Sequence, residues 1–260
     1  MRNTILPRIN RLAFAAIIAI LSFSFFLLIA TRHSKLSGSE KRVRIVFYNV
    51  ENLFDTIDNP YKKDDEFLPT GKKKWNTSRY YEKLDNIAKV ILACGEGKAP
   101  DIVGLCEVEN RRVLKDLVNR PALKTAGYKI AHFDSPDMRG IDVALLYRNT
   151  DNGFSTNDNG RPIKLRFPLE AAYTSRDILH IKGKVGGKNA KDNFHIFVNH
   201  WPSRYEGLEI TEPRRKQAAK TLKWAVDSIR QAEKNPGIVI MGDLNAVSYT
   251  HLRAHETRRY

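Results

Sequence analysis

Cysteine is scarce: Cys94 and Cys106 are the only two in 260 residues. They allow one bridge at most, so a fold framed by several disulfides is excluded. Cys106 lies inside the apolar run DIVGLCEV and reads as a small buried hydrophobe, while Cys94 closes a helix-like segment. Both read as free thiols. No stretch repeats itself, which excludes a solenoid or propeller, and nothing marks a second folded domain. Acidic residues are in deficit, 29 against 44 Lys and Arg, for a net charge of +15. The excess is uneven. Residues 1–42 hold seven Lys or Arg and one Glu, and residues 247–260 hold three Arg and one Glu, which leaves 34 basic and 27 acidic residues between. That surplus suits a phosphate-bearing substrate and equally suits solubility alone.

Long hydrophobic runs are missing, with one exception. MRNTILPRINR carries three arginines, and Leu12 to Ala30 then gives nineteen residues without a charge. Such a run can span a bilayer, with the basic flank 1–11 held in the cytoplasm and the rest outside. Residues 12–30 are therefore expected to be a transmembrane signal-anchor, or a signal peptide cleaved near Ala30. Residues 31–42, TRHSKLSGSEKR, read as a polar linker. The remainder is expected to be exported, either membrane-anchored or released.

From residue 43 short apolar runs alternate with polar turns. VRIVFYNV, DIVGLCEV, YKIAHF, IDVALLYR, ILHIKGKV, NFHIFVNH and GIVIMGDL have the length and β-branched content of strands. Three segments read as helices. In SRYYEKLDNIAKVILAC the residues Tyr81, Leu84, Ala88, Ile91 and Leu92 recur at helical spacing. NRRVLKDLV is shorter. TEPRRKQAAKTLKWAVDSIRQAEKN opens on Thr211 as a cap and sets Ala218, Leu222, Ala225, Val226 and Ile229 on one stripe, its Lys and Arg on the solvated face. The long charged loop DTIDNPYKKDDEFLPTGKKKWNTS reads either as a binding rim or as plain surface. NTDNGFSTNDNGRP is a turn-rich excursion. Mixed strands with interspersed helices give a layered α/β architecture.

Polar side chains close several of these strands. Asn49 and Glu51 end the first, Glu107 follows DIVGLC, Asn199, His200 and Arg204 follow NFHIF, and Asp243 and Asn245 follow GIVIM. Strand ends meeting at one sheet edge hold polar groups rigidly around a ligand. Carboxylates and amides without cysteine suit Mg²⁺ or Mn²⁺. Singly, each has a plainer explanation, a turn for Asp243 and Asn245 or an Arg111 partner for Glu107; together they read as a site.

The set FYNVENLFDT, DIVGLCEVEN, RGIDVALLY, VNHWPSR and IVIMGDLNA, spanning residues 43–246 in order, resembles the endonuclease/exonuclease/phosphatase superfamily of pancreatic-type deoxyribonuclease and the abasic-site endonucleases. The resemblance implies two packed, mostly antiparallel β-sheets flanked by helices, a four-layer sandwich with its site at one end. It implies hydrolysis of phosphate esters with Mg²⁺ or Mn²⁺. Matched by motif, Glu107 would hold the metal, with Asn49 and Glu51 supporting it. Asp243 would orient or deprotonate the attacking water, and Asn245 would hold a phosphate oxygen or the metal shell. His200 would bond the scissile phosphate or assist the leaving group. Arg139, Asp142 and Arg204 would contact substrate, Arg139 alternatively pairing with Asp137.

The family pattern continues to a Ser-Asp-His that has no counterpart here. VSYTHLRAHET, Val247 to Thr257, instead resembles the translation of a transposon-type sequencing adapter. Residues 247–260 are accordingly expected to be non-native and without a functional role, the domain 43–246 to be incomplete at its carboxyl end, and this chain to be impaired where the intact gene product is an enzyme. The moderate positive charge and Lys72–Lys74 favour an exported or anchored endonuclease-type nuclease acting on DNA or another phosphodiester, with the membrane as partner through the N-terminal segment and no obligate protein partner. The alternatives are a phosphatase or phospholipase C-type enzyme acting on phospholipid head groups or inositol phosphates, or a non-catalytic tethered scaffold.

Overall fold

The computed structural model describes residues 43–148, 154–156, 160–169, 173–185 and 193–246. The expected hydrophobic helix at 12–30, the linker and the segment 247–260 lie outside the described residues. No helix among the described residues is long and apolar enough to cross a membrane.

Among the described residues, nine strands form two sheets. β1 (Ile45–Leu53), β2 (Ile102–Val108), β4 (Asp142–Tyr147) and β3 (Lys129–His132) lie in that order in the first. The second runs β5 (Phe154–Ser155), β7 (Ile178–Val185), β8 (Asn193–His200), β9 (Gly237–Asp243), with β6 (Ile163–Leu165) also paired to β7. The seven expected strands are present; β5 and β6 are too short for alternation to betray them. Each sheet contains one parallel pair, β1–β2 and β8–β9, and is otherwise antiparallel. A parallel pair needs a crossover, and a helix supplies each one. α1 (Thr77–Cys94) joins β1 to β2, and α4 (Leu208–Ala232) joins β8 to β9. Between β2 and β3 lie the short α2 (Arg111–Val118) and α3 (Pro121–Lys124).

The alternation within β2 explains the layering. Ile102 and Cys106 face the second sheet, where they meet Leu179, Ile181, Ile196 and Val198. Val103 and Leu105 point the other way, onto Leu84, Ile87, Ala88 and Ile91 of α1. A strand buried on both faces reads as a continuous apolar run, as DIVGLCEV does. On the outer face of the second sheet, Ile178 and Phe197 pack beneath Ala218, Leu222, Ala225 and Val226 of α4. The result is helix, sheet, sheet, helix. Cys94 is exposed, Cys106 is buried, and both are free; burial pushes the Cys106 thiol up.

Two helix assignments shift. Tyr81 is 41% exposed, and its neighbour Tyr80 takes the buried place, donating to Asp116 at 2.8 Å. α4 begins at Leu208, one turn before Thr211. Gly207, at φ 96°, supplies the entry turn, and the Thr211 hydroxyl donates to the Gly207 carbonyl at 2.6 Å inside the helix. The sequence around Pro213 looks like a start because proline is tolerated best in a first turn.

Candidate active site

Both sheets run out at one end, and there the pairing is irregular. Asn49 lies opposite Cys106, yet the next β1–β2 partners are Leu53 and Val108. On the other side of β2, Cys106 pairs with Val143 and Val108 with Asp142, so Glu107 is an unpaired extra residue. Such a bulge re-aims a side chain. Glu107 sits at φ 64°, Glu51 at 52°, Asn52 at 62° and Asn245 at 47°. Left-handed backbone is uncommon outside glycine, and its concentration at one rim marks a site held in shape by its surroundings.

The re-aimed Glu107 carboxylate accepts the Asn52 backbone N–H at 2.9 Å and approaches the Asn49 amide at 3.4 Å. The same Asn49 nitrogen donates to Asp243 at 3.2 Å. One amide thus ties a carboxylate of the first sheet to a carboxylate of the second. His200 is the register partner of Asp243, and its Nε2 lies 3.7 Å from Glu107. The second Asp243 oxygen accepts the Asn245 backbone N–H at 2.9 Å, and the Asn245 amide donates to the Trp201 carbonyl at 3.0 Å. Gly242 makes this closeness possible: at φ 146°, a Cβ there would lie 2.2 Å from the Asn199 carbonyl oxygen.

His200 is buried. Burial, with the nearby positive charges of Arg176 and Arg139, pushes its pKa down to about 2, and its Nδ1 has no partner. It is therefore a neutral hydrogen-bonding ring. Behind it, buried Arg176 donates to Asp137 at 3.0 Å and to the Trp201 carbonyl at 2.7 Å. Asp137 also accepts the Arg139 N–H at 2.9 Å, and its carbonyl takes the Lys62 ammonium at 2.7 Å. An open cleft of about 710 Å³ adjoins this group, walled by Lys63, Arg139, Tyr173, Arg176, Ser203 and Tyr205. The long loop after β1 therefore does contribute to the rim, through Lys62 and Lys63.

Not every expected residue joins the cluster. Glu51 is exposed and takes part through its backbone: its N–H donates to the Asn49 side-chain Oδ1 at 2.9 Å and its own carbonyl accepts Lys83 at 2.7 Å. Arg204 is exposed in the turn before α4 and does not line the cleft. Asp142 is buried, with one oxygen 3.0 Å from His132 Nε2 and the other accepting the Ser135 N–H at 2.8 Å. Burial raises its pKa and the His132 bond opposes that. Asp142 anchors the loop that carries Asp137 and Arg139 rather than facing the cleft. Arg176 was not foreseen; the one signal for it was a charged pair, Arg176-Asp177, directly ahead of an apolar strand.

The Glu107 and Asp243 carboxylates converge on the Asn49 amide nitrogen, and neither forms an ion pair with Lys or Arg among the described residues. Uncompensated carboxylates beside an amide fit a hard divalent cation. His132, Asp134 and Asp142 bring ligand atoms within 4.8 Å of one another, a second place where a cation could sit, but there His132 and Ser135 already hold both Asp142 oxygens.

Paired sheets between helices, with carboxylates, amides and a neutral histidine at one rim, define a hydrolase scaffold for phosphate esters. The model of the Endonuclease/Exonuclease/phosphatase family matches residues 44–251, and the chain belongs to that family. Among solved structures it is similar to the human nocturnin catalytic domain, at 20% identity and TM-score 0.53 over 83% of this chain and 69% of that one. It is similar to a β-hairpin deletion mutant of Staphylococcus aureus beta toxin, at 17% identity and TM-score 0.52 over 84% and 72%. A Bacteroides thetaiotaomicron mannosyl-6-phosphatase gives 17% identity and TM-score 0.52 over 84% and 71%. A comparison with curated protein sequences finds no match.

Proposed function

We propose that the protein is an exported or membrane-anchored, Mg²⁺- or Mn²⁺-dependent phosphodiesterase of the nuclease type. The observation that carries this reading is the single Asn49 amide, which holds Glu107 and Asp243 together beside His200. Phosphodiesters resist attack because their anionic oxygens repel nucleophiles, and a bound divalent cation supplies the neutralising charge. Glu107 would hold that cation, with the Asn49 amide orienting its carboxylate. Asp243 accepts the proton of the attacking water, within reach because Asn245 fixes one of its oxygens. His200, neutral, would hydrogen-bond a phosphate oxygen through Nε2, the ring nitrogen that faces Glu107. Arg139 and Lys63, on the wall of the cleft, meet the phosphates flanking the scissile one. Those flanking cations favour a polymeric substrate over a small monoester.

The test is nicking of supercoiled plasmid by the purified protein with Mg²⁺, stopped by a chelator. Plasmid left whole while a phospholipid or sugar phosphate is consumed would replace the nuclease reading with a lipase or phosphatase. Binding without any turnover would replace it with a tethered scaffold.

A further inference from the structure

A second cleft lies away from the catalytic rim, between α4 and β6. Its volume is about 440 Å³, and one wall is the helical stripe Gln217, Lys220, Thr221 and Trp224. The opposite wall is Lys164, Leu165, Arg166 and Pro168. Trp224 is 67% exposed, whereas Trp75 and Trp201 are each 8% exposed. An indole so bare stands out beside Ala218, Leu222, Ala225 and Val226 of the same helix, which are buried, and such a surface marks a contact.

The charges around the ring are arranged for an anion. No carboxylate lines this cleft. Lys216 pairs with Glu212 at 3.1 Å, and Lys223 pairs with Asp227, each one turn along the helix. Lys220 has Trp224 at that spacing instead, and it forms no ion pair among the described residues. Arg166 is held flat by a two-point bond to Asp177 at 3.1 and 3.0 Å, which fixes its guanidinium on the wall. A flat aromatic face beside Lys220, a cation without an ion-pair partner among the described residues, fits a stacked base with its phosphate. A duplex hides its bases, so the occupant is single-stranded nucleic acid.

We infer that this cleft is an accessory binding site for single-stranded nucleic acid, with Trp224 stacking a base and Lys220 meeting a phosphate. Arg215 touches the Pro202 and Ser203 carbonyls beside the active site, at 3.5 and 3.4 Å. Trp224 lies nine residues further, about 14 Å along the helix and about half a turn around it, so this cleft is separate from the catalytic rim. The inference goes beyond the catalytic reading and depends on it only for the class of occupant.

The experiment uses the full chain with EDTA, so that nothing is cleaved. Fluorescein-labelled (dT)20 is titrated and followed by anisotropy, and unlabelled (dT)20 by tryptophan emission. The inference expects quenching, since Trp224 is the one exposed indole, and binding weaker by on the order of tenfold in Trp224→Ala. Trp224→Phe keeps a stacking face and restores binding. Lys220→Gln lowers the salt slope by about one. Absence of quenching, or equal binding by wild type and Trp224→Ala, overturns it. Displacement by inorganic polyphosphate as readily as by (dT)20 also overturns it, in favour of a general polyanion surface. Plasmid cleavage without quenching would sink this site and leave the activity standing.

Discussion

Replacing Asp137 by alanine removes one carboxylate and strands two donors, Arg176 and the Arg139 backbone N–H. Arg176, itself 2% exposed, loses its one anionic partner among the described residues and keeps a buried charge. The Arg139 backbone N–H loses its acceptor at 2.9 Å. Leaving one member of a buried ion pair unpaired costs about 3–5 kcal/mol, and the lost neutral bond adds about 1 kcal/mol. In a domain of this size each kcal/mol lowers the melting temperature by roughly 2–4 °C, so the fall is on the order of 10 °C. Urea unfolding followed by fluorescence of the buried Trp75 and Trp201 reads it directly. Asp137→Leu/Arg176→Met, which removes both charges, is expected to recover part of the loss, since contacting partners are not additive. An Asp137→Ala protein within about 1 kcal/mol of wild type would show that the buried pair does not organise the rim.

The histidine network at the far end of the second sheet makes stability depend on pH. His180 lies 2.9 Å from His195, which lies 3.1 Å from Glu233. Burial, then the charges of His195 and Lys182, lower the His180 pKa from 6.5 to about 4. The unfolded chain therefore binds the proton first, and about 3 kcal/mol of stability present above pH 6.5 is lost as the pH falls towards 4. Urea midpoints at pH 7 and 4.5 measure this; His180→Phe, which keeps the stack on Phe197, should flatten the fall, and an unchanged slope would refute the assignment. Gly242→Ala forces a Cβ to within 2.2 Å of the Asn199 oxygen, so turnover should drop sharply with a stability loss of about 1–3 kcal/mol, and wild-type activity would contradict the geometry.

Strands were legible where alternation persisted for several residues, as in NFHIFVNH, and invisible in β5 and β6, which span two and three residues. The helical stripe of α1 was read one residue out of phase at Tyr81, because two adjacent tyrosines satisfy an amphipathic pattern equally and packing decides between them. Glu107, Asn49, Asp243, Asn245 and His200 could be found because each closes an apolar run. Their convergence could not, since it rests on a bulge at Glu107 and a left-handed backbone that spacing does not encode. Asp142 and Arg204 share motifs with true rim residues, yet one turns into the core and the other into solvent. Arg176 lies in no polar strand end and is brought behind His200 by tertiary pairing alone.

Calorimetric titration of Mg²⁺ and Mn²⁺ into the purified protein, beside Glu107→Gln, Asp243→Asn and Asp142→Asn, tests the central claim most directly. The account predicts one metal site, weakened by about tenfold or more in Glu107→Gln. It predicts retained metal binding with lost turnover in Asp243→Asn, and metal binding unaltered in Asp142→Asn. Metal binding that survives Glu107→Gln and vanishes with Asp142→Asn would contradict it, moving the cation to the His132 pair.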